Sequence, residues 1–287
     1  MAIKHFLGKR QRELWYQMGW DKMMSTKTNL RIAVLADIHA NSIALGAVLN
    51  DIQEQGGVDE TWLLGDYVAL GPDPARVLEQ LSSLKNTRFV RGNSDRYITD
   101  TQIYSPSAEE LKDLTPTELA RHIRMASSFA WTSGALAVAG WLPWLMVLAL
   151  EERMELPDGT RVLAVHAAPG TDDGDGINPT TNKECLRLLL ANAQADLVLV
   201  GHTHAPFDRI IDGIRVINPG SVSNPLAPDL RASYALLYAE QDGYRVTFRN
   251  VDYDHQAVID AMHQRLHPSK EYITRLMSGQ IRPGWEK

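Results

Sequence analysis

The sequence predicts an α/β fold in which two mixed β-sheets are sandwiched between helices. Short apolar runs bounded by turn residues, such as residues 30–36 and 61–64, indicate buried strands. Amphipathic segments at residues 42–53 and 74–84 follow these two strands and have helical spacing. After residue 204 the pattern changes to paired strands across tight turns, as in residues 210–216. Alternating strands and helices followed by hairpins are typical of a mixed α/β sandwich.

Five of the predicted strands end just before side chains that are able to bind a metal ion. The strands are residues 30–36, 61–64, 88–91, 161–165 and 196–200, and the side chains that follow them are Asp37 and His39, Asp66, Asn93, His166, and His202 and His204. Because ligands gather at the carboxyl ends of strands in α/β sheets, these residues predict one shared pocket. Gly65, Gly92 and Gly201 are expected to let the backbone turn sharply there.

The chemistry of these side chains favours two divalent ions. Two aspartates, one asparagine and four histidines offer oxygen and imidazole ligands, which suit Mn, Fe, Zn, Co or Ni rather than a metal that prefers thiolates. A sixth polar motif, the loop of residues 218–221, also follows a strand-like run. An acidic loop after His166 contains Asp172, Asp173 and Asp175, and we interpret it as a solvated loop, with a third cation site as the alternative.

The region between residues 100 and 150 has an unusual composition. Thr115 and Glu118 form a capping box with proline at the first helical position, which predicts a helix to about residue 139. Apolar residues repeat along it at helical spacing, namely Leu119, Ile123, Ala126 and Ala130. A turn at residues 141–143 and a strand at 145–153, paired with 161–165 across residues 157–159, would follow.

Three roles are open for this region. The first is a helical insertion that covers the pocket and sets substrate access, the second is a helix that packs on the sheet, and the third is a membrane span. Residues 131–150 carry no charge and are long enough to span a bilayer, but Gly140 and Pro143 interrupt the apolar run. We therefore predict no membrane span.

The chain divides into three predicted parts. Residues 1–29 form a basic N-terminal extension, residues 30–253 form the main domain with a helical insertion at about 105–140, and residues 254–287 form a C-terminal helical segment. Within the main domain, the predicted helix at 182–191 begins at a capping box of Thr181 and Glu184, and a late hairpin turns at residues 242–243.

Charge and cysteine content narrow the class of protein. The net charge of −6 leaves no broad basic surface for nucleic acid, so no stable nucleic-acid binding is expected. The single cysteine, Cys185, excludes an intrachain disulfide framework and fits a reducing cytoplasm; we interpret it as a small buried residue rather than a reactive thiol. The first 29 residues contain six basic and two acidic residues. The alternatives for them are a basic amphipathic anchor, an arm of a homo-oligomer, a flexible extension, or a start codon assigned too far upstream, with Met23 or Met24 as the true start.

The ordered set of motifs resembles that of the calcineurin-like metallophosphoesterases. The family pattern of D-x-H, G-D, G-N-x-[D/E], H and G-H-x-H is matched here by Asp37 and His39, by Asp66, by Asn93 and Asp95, by His166, and by His202 and His204. The resemblance covers about residues 30–250, and its flanking residues are similar to the small bacterial branch related to diadenosine tetraphosphatases. It implies a four-layer αββα sandwich of two mixed sheets flanked by helices.

The resemblance also implies a role for each matching residue. Asp66 would bridge two divalent ions, preferably Mn. The first ion would also be held by Asp37, His39 and His204, and the second by Asn93, His166 and His202. A hydroxide bridging the two ions would attack phosphorus, which places Asp66, Asn93 and His166 in the catalytic centre. Asp95 would orient a ligand from the second layer of residues.

Ser94 departs from the common family pattern, in which a histidine follows Gly-Asn and is thought to protonate the leaving group. Its absence favours a phosphodiesterase, or a phosphatase for activated esters and anhydrides. The alternatives are a phosphomonoesterase acting on proteins or nucleotides, a dinucleoside polyphosphate hydrolase, and a non-catalytic metal-binding scaffold or nucleotide sensor. The expected partner is thus a small phosphoester or a phosphoprotein.

Overall fold

The first sheet is built around three parallel strands that follow one another along the chain. The structure is a computed structural model that describes residues 28–100, 111–226 and 228–281. The sheet has the order β10-β9-β1-β2-β3, and its strands are β1 (Leu30–Leu35), β2 (Glu60–Leu63), β3 (Thr87–Phe89), β9 (Ala232–Glu240) and β10 (Gly243–Val251). Strands β1, β2 and β3 are parallel, whereas β9 runs antiparallel to both of its neighbours. The sheet is therefore mixed, as predicted.

The second sheet is also mixed and has five strands in the order β4-β5-β6-β8-β7. Its strands are β4 (Glu151–Glu155), β5 (Arg161–Val165), β6 (Leu197–Leu199), β7 (Phe207–Ile211) and β8 (Ile214–Asn218). Strands β5, β6 and β8 are parallel, and the edge strands β4 and β7 are antiparallel to their neighbours. The carboxyl ends of β5 and β6 carry His166 and, two residues further along, Gly201 and His202.

Helices cover the outer faces of both sheets. They are α1 (Ser42–Glu54), α2 (Pro74–Ser82), α3 (Asn93–Thr99), α4 (Pro116–Ala139), α5 (Leu142–Leu145), α6 (Lys183–Leu190), α7 (His255–Gln264) and α8 (Lys270–Met277). The last two lie in the predicted C-terminal helical segment, and its residues 282–287 are outside the described part of the chain. The predicted N-terminal extension also lies outside it, apart from residues 28 and 29.

Three apolar cores separate the layers, and strand alternation assigns side chains to them. On β1, Ala33 and Leu35 face a core formed with α1, α2, α4 and α5, whereas Ile32 and Val34 face the space between the sheets. The core between the sheets also contains residues of β5, and a third core lies between the second sheet and α6. The order is therefore helix, sheet, sheet, helix, which confirms the predicted four-layer sandwich.

Two local predictions were wrong. The predicted strand at 145–153 starts later, since residues 142–145 form α5 and β4 begins at Glu151; its pairing with β5 is as expected. Trp144 explains the difference, because it is fully buried against the ring of Phe89, 5.1 Å away between centroids, and a helical turn points it there. Helix α6 begins at an Asn182 cap rather than at Thr181.

Cys185 is exposed, which contradicts its predicted burial. Helix α6 buries Leu186 and Leu190, which lie four residues apart on one face. Cys185 is about 100° around the helix from Leu186 and points outward. A helix that is apolar over several consecutive residues can still bury only one stripe, and here Leu188 is 75% exposed as well.

Helix α4 packs into the first core, but through other residues than the apolar ones noted at helical spacing in the sequence. It starts at the predicted Thr115–Glu118 capping box and ends at Gly140 in a left-handed conformation. Phe129 and Leu136 are buried, whereas Ile123 is 57% exposed. Within the described residues, no helix has both the length and the apolar character required to cross a membrane. A role for α4 in substrate access stays a prediction.

Helix α4 is expected to be required for stability. Leu136→Ala removes a fully buried side chain and should lower the free energy of unfolding by about 2–5 kcal/mol. The matched control on the same helix is Val138→Ala, because Val138 is 92% exposed; it should change stability by no more than about 0.6 kcal/mol, the difference in helix propensity. Urea denaturation followed by circular dichroism measures both. Equal effects of the two substitutions would show that α4 is not part of the core.

Candidate metal centre

All seven predicted ligands converge at the carboxyl ends of strands from the two sheets. Backbone hydrogen bonds join the loops that carry them: His39 N donates to the carbonyl of Asp66 at 2.8 Å, and Gly201 N donates to that of His166 at 2.8 Å. The two sheets are joined directly where His202 N donates to the Asp37 carboxylate, 3.0 Å from Oδ2. The pocket predicted from the five strand ends is therefore present in the fold.

One group of ligand atoms forms around Asp37. His39 Nε2 lies 3.1 Å from His204 Nε2, and His204 Nε2 lies 3.5 Å from Asp37 Oδ1. His39 Nε2 is also 3.6 Å from Asp66 Oδ2. Asp37 is completely buried and His39 and Asp66 are nearly so. These four residues are the set that sequence motifs assign to the first ion.

A second group forms around Asn93. Its side-chain oxygen lies 3.1 Å from His166 Nε2 and 3.0 Å from His202 Nδ1, and these two nitrogens are 3.3 Å apart. Asp66 Oδ1 lies 3.5 Å from His166 Nε2. The two oxygens of Asp66 thus face the two groups, one each. Asp37 also has a carboxylate oxygen within 4.8 Å of ligand atoms of both Asp66 and His166, so the groups share more than one carboxylate.

Backbone carbonyls determine the tautomer of three histidines, and so which ring nitrogen keeps its lone pair. His166 Nδ1 donates to the carbonyl of Leu64 at 2.6 Å, His202 Nε2 to that of Gly174 at 2.8 Å, and His204 Nδ1 to that of Asn224 at 3.0 Å. A carbonyl only accepts, so each of these nitrogens carries the proton. The other nitrogen of each neutral ring therefore presents a lone pair to the pocket.

The pocket consequently concentrates lone pairs and negative charge. In the second group, two imidazole lone pairs and an amide oxygen face one another at about van der Waals distance with no proton among them when the rings are neutral. In the first group, His39 Nδ1 is buried without a hydrogen-bond partner. Such an arrangement is favourable only with positive charge in the centre, and metal-binding histidines commonly donate their second N–H to a carbonyl in this way. The residues present therefore fit divalent ions.

The pKa shifts of the histidines follow from burial and from the two carboxylates. Burial lowers the pKa of His39 to about 4, and nearby Asp66 offsets this effect only in part. Burial also acts to lower the pKa values of His166 and His204, but Asp66 and Asp37 outweigh it and raise both. The pKa of His202 is lowered, by burial and by the neighbouring His166. The two carboxylates thus favour a positive charge on His166 and His204, whereas burial keeps His39 and His202 neutral.

Asp95 and Ser94 hold the loop of Asp66 in place. The buried carboxylate of Asp95 accepts three backbone N–H groups, from Asp66 at 2.8 Å, Tyr67 at 2.9 Å and Gly92 at 3.0 Å. Ser94 donates its hydroxyl to Asp66 Oδ2 at 2.8 Å and its backbone N–H to Asp66 Oδ1 at 2.9 Å. Asp95 therefore orients the backbone around Asp66, and Ser94 orients the carboxylate.

The glycines at the strand ends are needed mainly because a Cβ would not fit there, rather than because the backbone turns sharply. Gly65 has a positive φ of 93°, as expected for a sharp turn, but φ of Gly92 is −91°. A Cβ on Gly92 would lie 2.2 Å from Asp66 Oδ1, and one on Gly201 would lie 2.9 Å from the Cβ of Ala36. Gly92 and Gly201 are thus needed for close approach, which corrects the expectation of sharp turns at all three.

Five of the seven predicted ligands have left-handed backbone conformations. Their φ values lie between 46° and 66°, and the residues are Asp37, His39, Asp66, His202 and His204. Residues with a Cβ rarely adopt this conformation, and such strain clusters at functional sites. The tight loops that result turn each side chain inward immediately after its strand.

Comparison with known proteins identifies the family. The sequence model of the calcineurin-like phosphoesterase superfamily domain matches residues 30–242. The chain belongs to this superfamily. It is thus a metallophosphoesterase, a hydrolase that acts on phosphoester bonds, and the resemblance predicted from its motifs is confirmed.

Individual relatives agree with this assignment. The crystal structure of a metallophosphoesterase from Sphaerobacter thermophilus is similar with a TM-score of 0.67 and 29% identity, over 88% of this chain and 99% of that one. An uncharacterised protein of Methanocaldococcus jannaschii is 29% identical in an alignment 246 positions long that covers 78% of this chain and 88% of the relative. A symmetrical bis(5'-nucleosyl)-tetraphosphatase of Erwinia tasmaniensis is 38% identical over 66 residues, only 23% of this chain and 24% of that enzyme.

Several residues that support the site could not be found by motif. The carbonyls of Leu64, Gly174 and Asn224 carry no side-chain signal. The loop at 218–221 did carry one: the side-chain amide of Asn218 donates to the Gly201 carbonyl at 2.7 Å, and the Ser221 hydroxyl donates to the Asp37 carbonyl at 2.9 Å. This loop therefore holds the backbone of two ligand loops.

Asp95 is expected to be essential for the stability of this region. Asp95→Asn replaces one accepting oxygen by an N–H₂ group, which would oppose a backbone N–H in a buried place and should lower the free energy of unfolding by about 3 kcal/mol. Urea denaturation of the metal-free protein measures the change. The control is Asp229→Asn, since Asp229 is exposed and pairs with neighbouring Arg231; it should change stability by about 0.5 kcal/mol or less. Similar losses in both variants would contradict the role given to Asp95.

Proposed function

We propose that this metallophosphoesterase uses two divalent metal ions, preferably Mn, and hydrolyses phosphodiesters in preference to phosphomonoesters. The observation that carries the proposal is the convergence of three imidazole lone pairs, from His166, His202 and His204, beside the carboxylates of Asp37 and Asp66. Oxygen and imidazole ligands suit Mn, Fe, Zn, Co or Ni. The preference for diesters is supported by the residue that follows Asn93.

The two groups of ligand atoms would each hold one ion. Asp37, His39 and His204 would hold the first, Asn93, His166 and His202 the second, and Asp66 would bridge them with its two oxygens. Two ions in such a site supply a Lewis acid for the phosphoryl oxygens and lower the pKa of bound water. Ser94 holds the Asp66 carboxylate by donating one hydrogen bond to each of its two oxygens.

The proton supply at the site supports the choice of substrate. The hydroxyl of Ser94 donates a hydrogen bond to Asp66, and serine is not an acid near neutral pH. Burial lowers the pKa of His39 to about 4, so its ring is neutral at pH 7 and is a poor proton donor. Because neither Ser94 nor His39 can protonate the departing oxygen, and His166 and His204 would be occupied as metal ligands, the site favours substrates whose leaving group is stable as an anion. Activated esters and phosphoanhydrides meet this requirement, whereas alkyl esters do not.

A second candidate function is the hydrolysis of dinucleoside polyphosphates. It is favoured by the similarity to symmetrical bis(5'-nucleosyl)-tetraphosphatases, at 38% identity over 66 residues. The leaving group in such a reaction is a nucleotide phosphate, which needs no proton. The same argument from Ser94 therefore supports this substrate class.

A substrate panel tests both functions. The purified protein with Mn²⁺ is assayed on an aryl phosphodiester, an aryl phosphomonoester, a dinucleoside tetraphosphate and a phosphoprotein. We expect the diester to have the highest kcat/KM. A higher value for the tetraphosphate would favour the second function, and a higher value for the monoester would overturn the preference for diesters. If the panel, repeated with Fe, Zn, Co and Ni in place of Mn, shows no turnover with any of these metals, the scaffold alternative is favoured.

Asp66→Asn is expected to weaken both metal sites at once, because each carboxylate oxygen faces one group. Both dissociation constants should rise by about 100-fold or more, since even outer hydrogen-bond partners of ligands change metal affinity by about 10–100-fold. His202→Gln is the comparison, because the ring of His202 contacts only the second group, and its loss should weaken one ion alone. Calorimetric titration with Mn²⁺ measures both. An Asp66→Asn protein that keeps one ion at wild-type affinity would refute the bridge.

The wild-type rate is expected to depend strongly on the acidity of the leaving group. Nitrophenyl esters should react well and alkyl esters poorly, since general acid catalysis is typically worth about 10²–10⁴ in rate. Ser94→His should raise the rate on alkyl esters more than on aryl esters. The control is Ser94→Ala, which removes the hydroxyl bond to Asp66 without adding an acid and should lower both rates in proportion. If the wild type shows no dependence while chemistry is rate-limiting, another group supplies the proton.

A further inference from the structure

The acidic loop after His166 is not a solvated loop throughout, because the side chain of Asp172 is buried. Asp172 is 4% exposed although Gly174 and Asp175, close by in the same loop, are exposed. A carboxylate buried in this way needs charged partners, since a buried ion without them is strongly destabilising. The partners of Asp172 therefore determine where the loop can lie.

Two arginines that flank Asn93 supply these partners. Arg91 Nε donates to Asp172 Oδ2 at 2.7 Å, and Arg96 donates from Nε at 3.1 Å and from Nη2 at 3.0 Å. Arg91 stands two residues before Asn93 and Arg96 three residues after it, on α3. Arg96 also donates to the neighbouring Asp173 at 2.9 Å. The loop is thus tied to the segment that carries one of the proposed ligands.

The other end of this loop contacts His202. The carbonyl of Gly174, two residues after Asp172, accepts the Nε2 proton of His202 at 2.8 Å. The Asp173 carboxylate accepts the backbone N–H of Gly174 at 2.8 Å and so helps to orient that peptide. A Cβ on Gly176 would lie 2.7 Å from His202 Cδ2, so the loop also packs against the ring. The loop therefore sets both the tautomer and the position of His202.

The tautomer of His202 matters because its two nitrogens have different surroundings. With the proton on Nε2, the Nδ1 lone pair faces Asn93 Oδ1 at 3.0 Å. If the Gly174 carbonyl moved away, the proton would be free to occupy Nδ1, where Asn93 Oδ1 is ready to accept it. The ligand nitrogen would then be blocked.

We propose that Asp172 is a positioning residue for the second metal ion: by holding Arg91 and Arg96, it keeps the Gly174 carbonyl on His202 and so keeps the Nδ1 of His202 free. The inference rests on the proposed binuclear function. It adds Asp172, Arg91 and Arg96, whose charged groups bond to one another rather than directly to a ligand side chain. Its effect is selective, because the carbonyls that orient His166 and His204 belong to Leu64 and Asn224, outside this loop.

The test compares Asp172→Asn with Asp212→Asn in the full-length protein. Both substitutions remove the charge of an aspartate that receives two bonds from an arginine, but Asp212 pairs with Arg187 at the exposed surface. Calorimetric titration with Mn²⁺ should show one of the two ions weakened by about 10–100-fold in Asp172→Asn, with the other within about threefold. Asp212→Asn should match the wild type for both ions. Arg91→Met, which cuts the same link from the partially exposed side, should reproduce the selective loss if Asp172→Asn does not fold.

A second measurement does not depend on metal. Nitrogen-15 NMR of the histidine rings in metal-free protein, at about pH 9 where free imidazoles are neutral, reports which nitrogen carries the proton. The His202 signal, assigned from a His202→Gln spectrum, should be the Nε2-protonated form in the wild type and should shift toward the Nδ1-protonated form in Asp172→Asn.

Equal weakening of both ions, no weakening of either, or an unchanged His202 tautomer in Asp172→Asn would overturn the proposal. If the wild type binds no divalent ion at all, the binuclear function fails separately, and the NMR comparison still decides whether Asp172 sets the state of His202.

Discussion

Three backbone carbonyls that accept imidazole protons are the interaction on which the site depends. They belong to Leu64 after β2, to Gly174 in the loop after β5, and to Asn224 in the loop after β8. Each fixes the ring plane and the free nitrogen of one histidine. Because Leu64 follows a strand of the first sheet and accepts from His166 of the second, the chemistry requires that the two sheets keep their relative position.

The apolar core between the sheets keeps them in this relative position. Ile32, Val34 and Trp62 from the first sheet pack with Val162 and Ala164 from the second, and all are nearly inaccessible to solvent. Close-packed interiors transmit small displacements rather than absorb them. A change of a few tenths of an ångström in the sheet spacing would therefore act directly on the hydrogen bonds that orient the histidines. The same core that stabilises the fold thus sets the geometry of the pocket.

The lone pairs and carboxylates that meet in the pocket lower the stability of the folded state unless a positive charge lies among them. Asp37 is fully buried, and the histidines around it, His204 first, outweigh the effect of burial and lower its pKa to about 2. A folded state that offers such a site gains stability from any cation that binds it, because the unfolded chain offers no comparable arrangement. Folding and metal binding are in this sense one equilibrium.

Much of the fold and the membership of the pocket could be predicted from sequence because the signals are local. An apolar run that ends in Gly65-Asp66, or in Gly201-His202, indicates a strand end and a ligand without knowledge of the rest of the chain. The exposure of Cys185 and the helical turn before β4 could not be predicted, because they depend on which stripe of a helix meets the sheet and on where Trp144 fits. The burial of Asp172 by Arg91 and Arg96 depends on residues about 80 positions away in the chain.

The left-handed backbone of the ligand residues has a consequence for protein engineering. Each non-glycine residue in this conformation costs about 1–2 kcal/mol, and His39, His202 and His204 have no short polar side chain to reduce that cost. Glycine at any of these positions would relieve the backbone strain. At positions 202 and 204 it would also remove the ring that donates to a backbone carbonyl of a neighbouring loop. In metal-free medium, where no bound cation rewards the imidazole, a selection for thermal resistance alone would therefore favour glycine over histidine. Such a library would shift toward a more stable protein that lacks the proposed metal ligands, unless turnover is scored in every round.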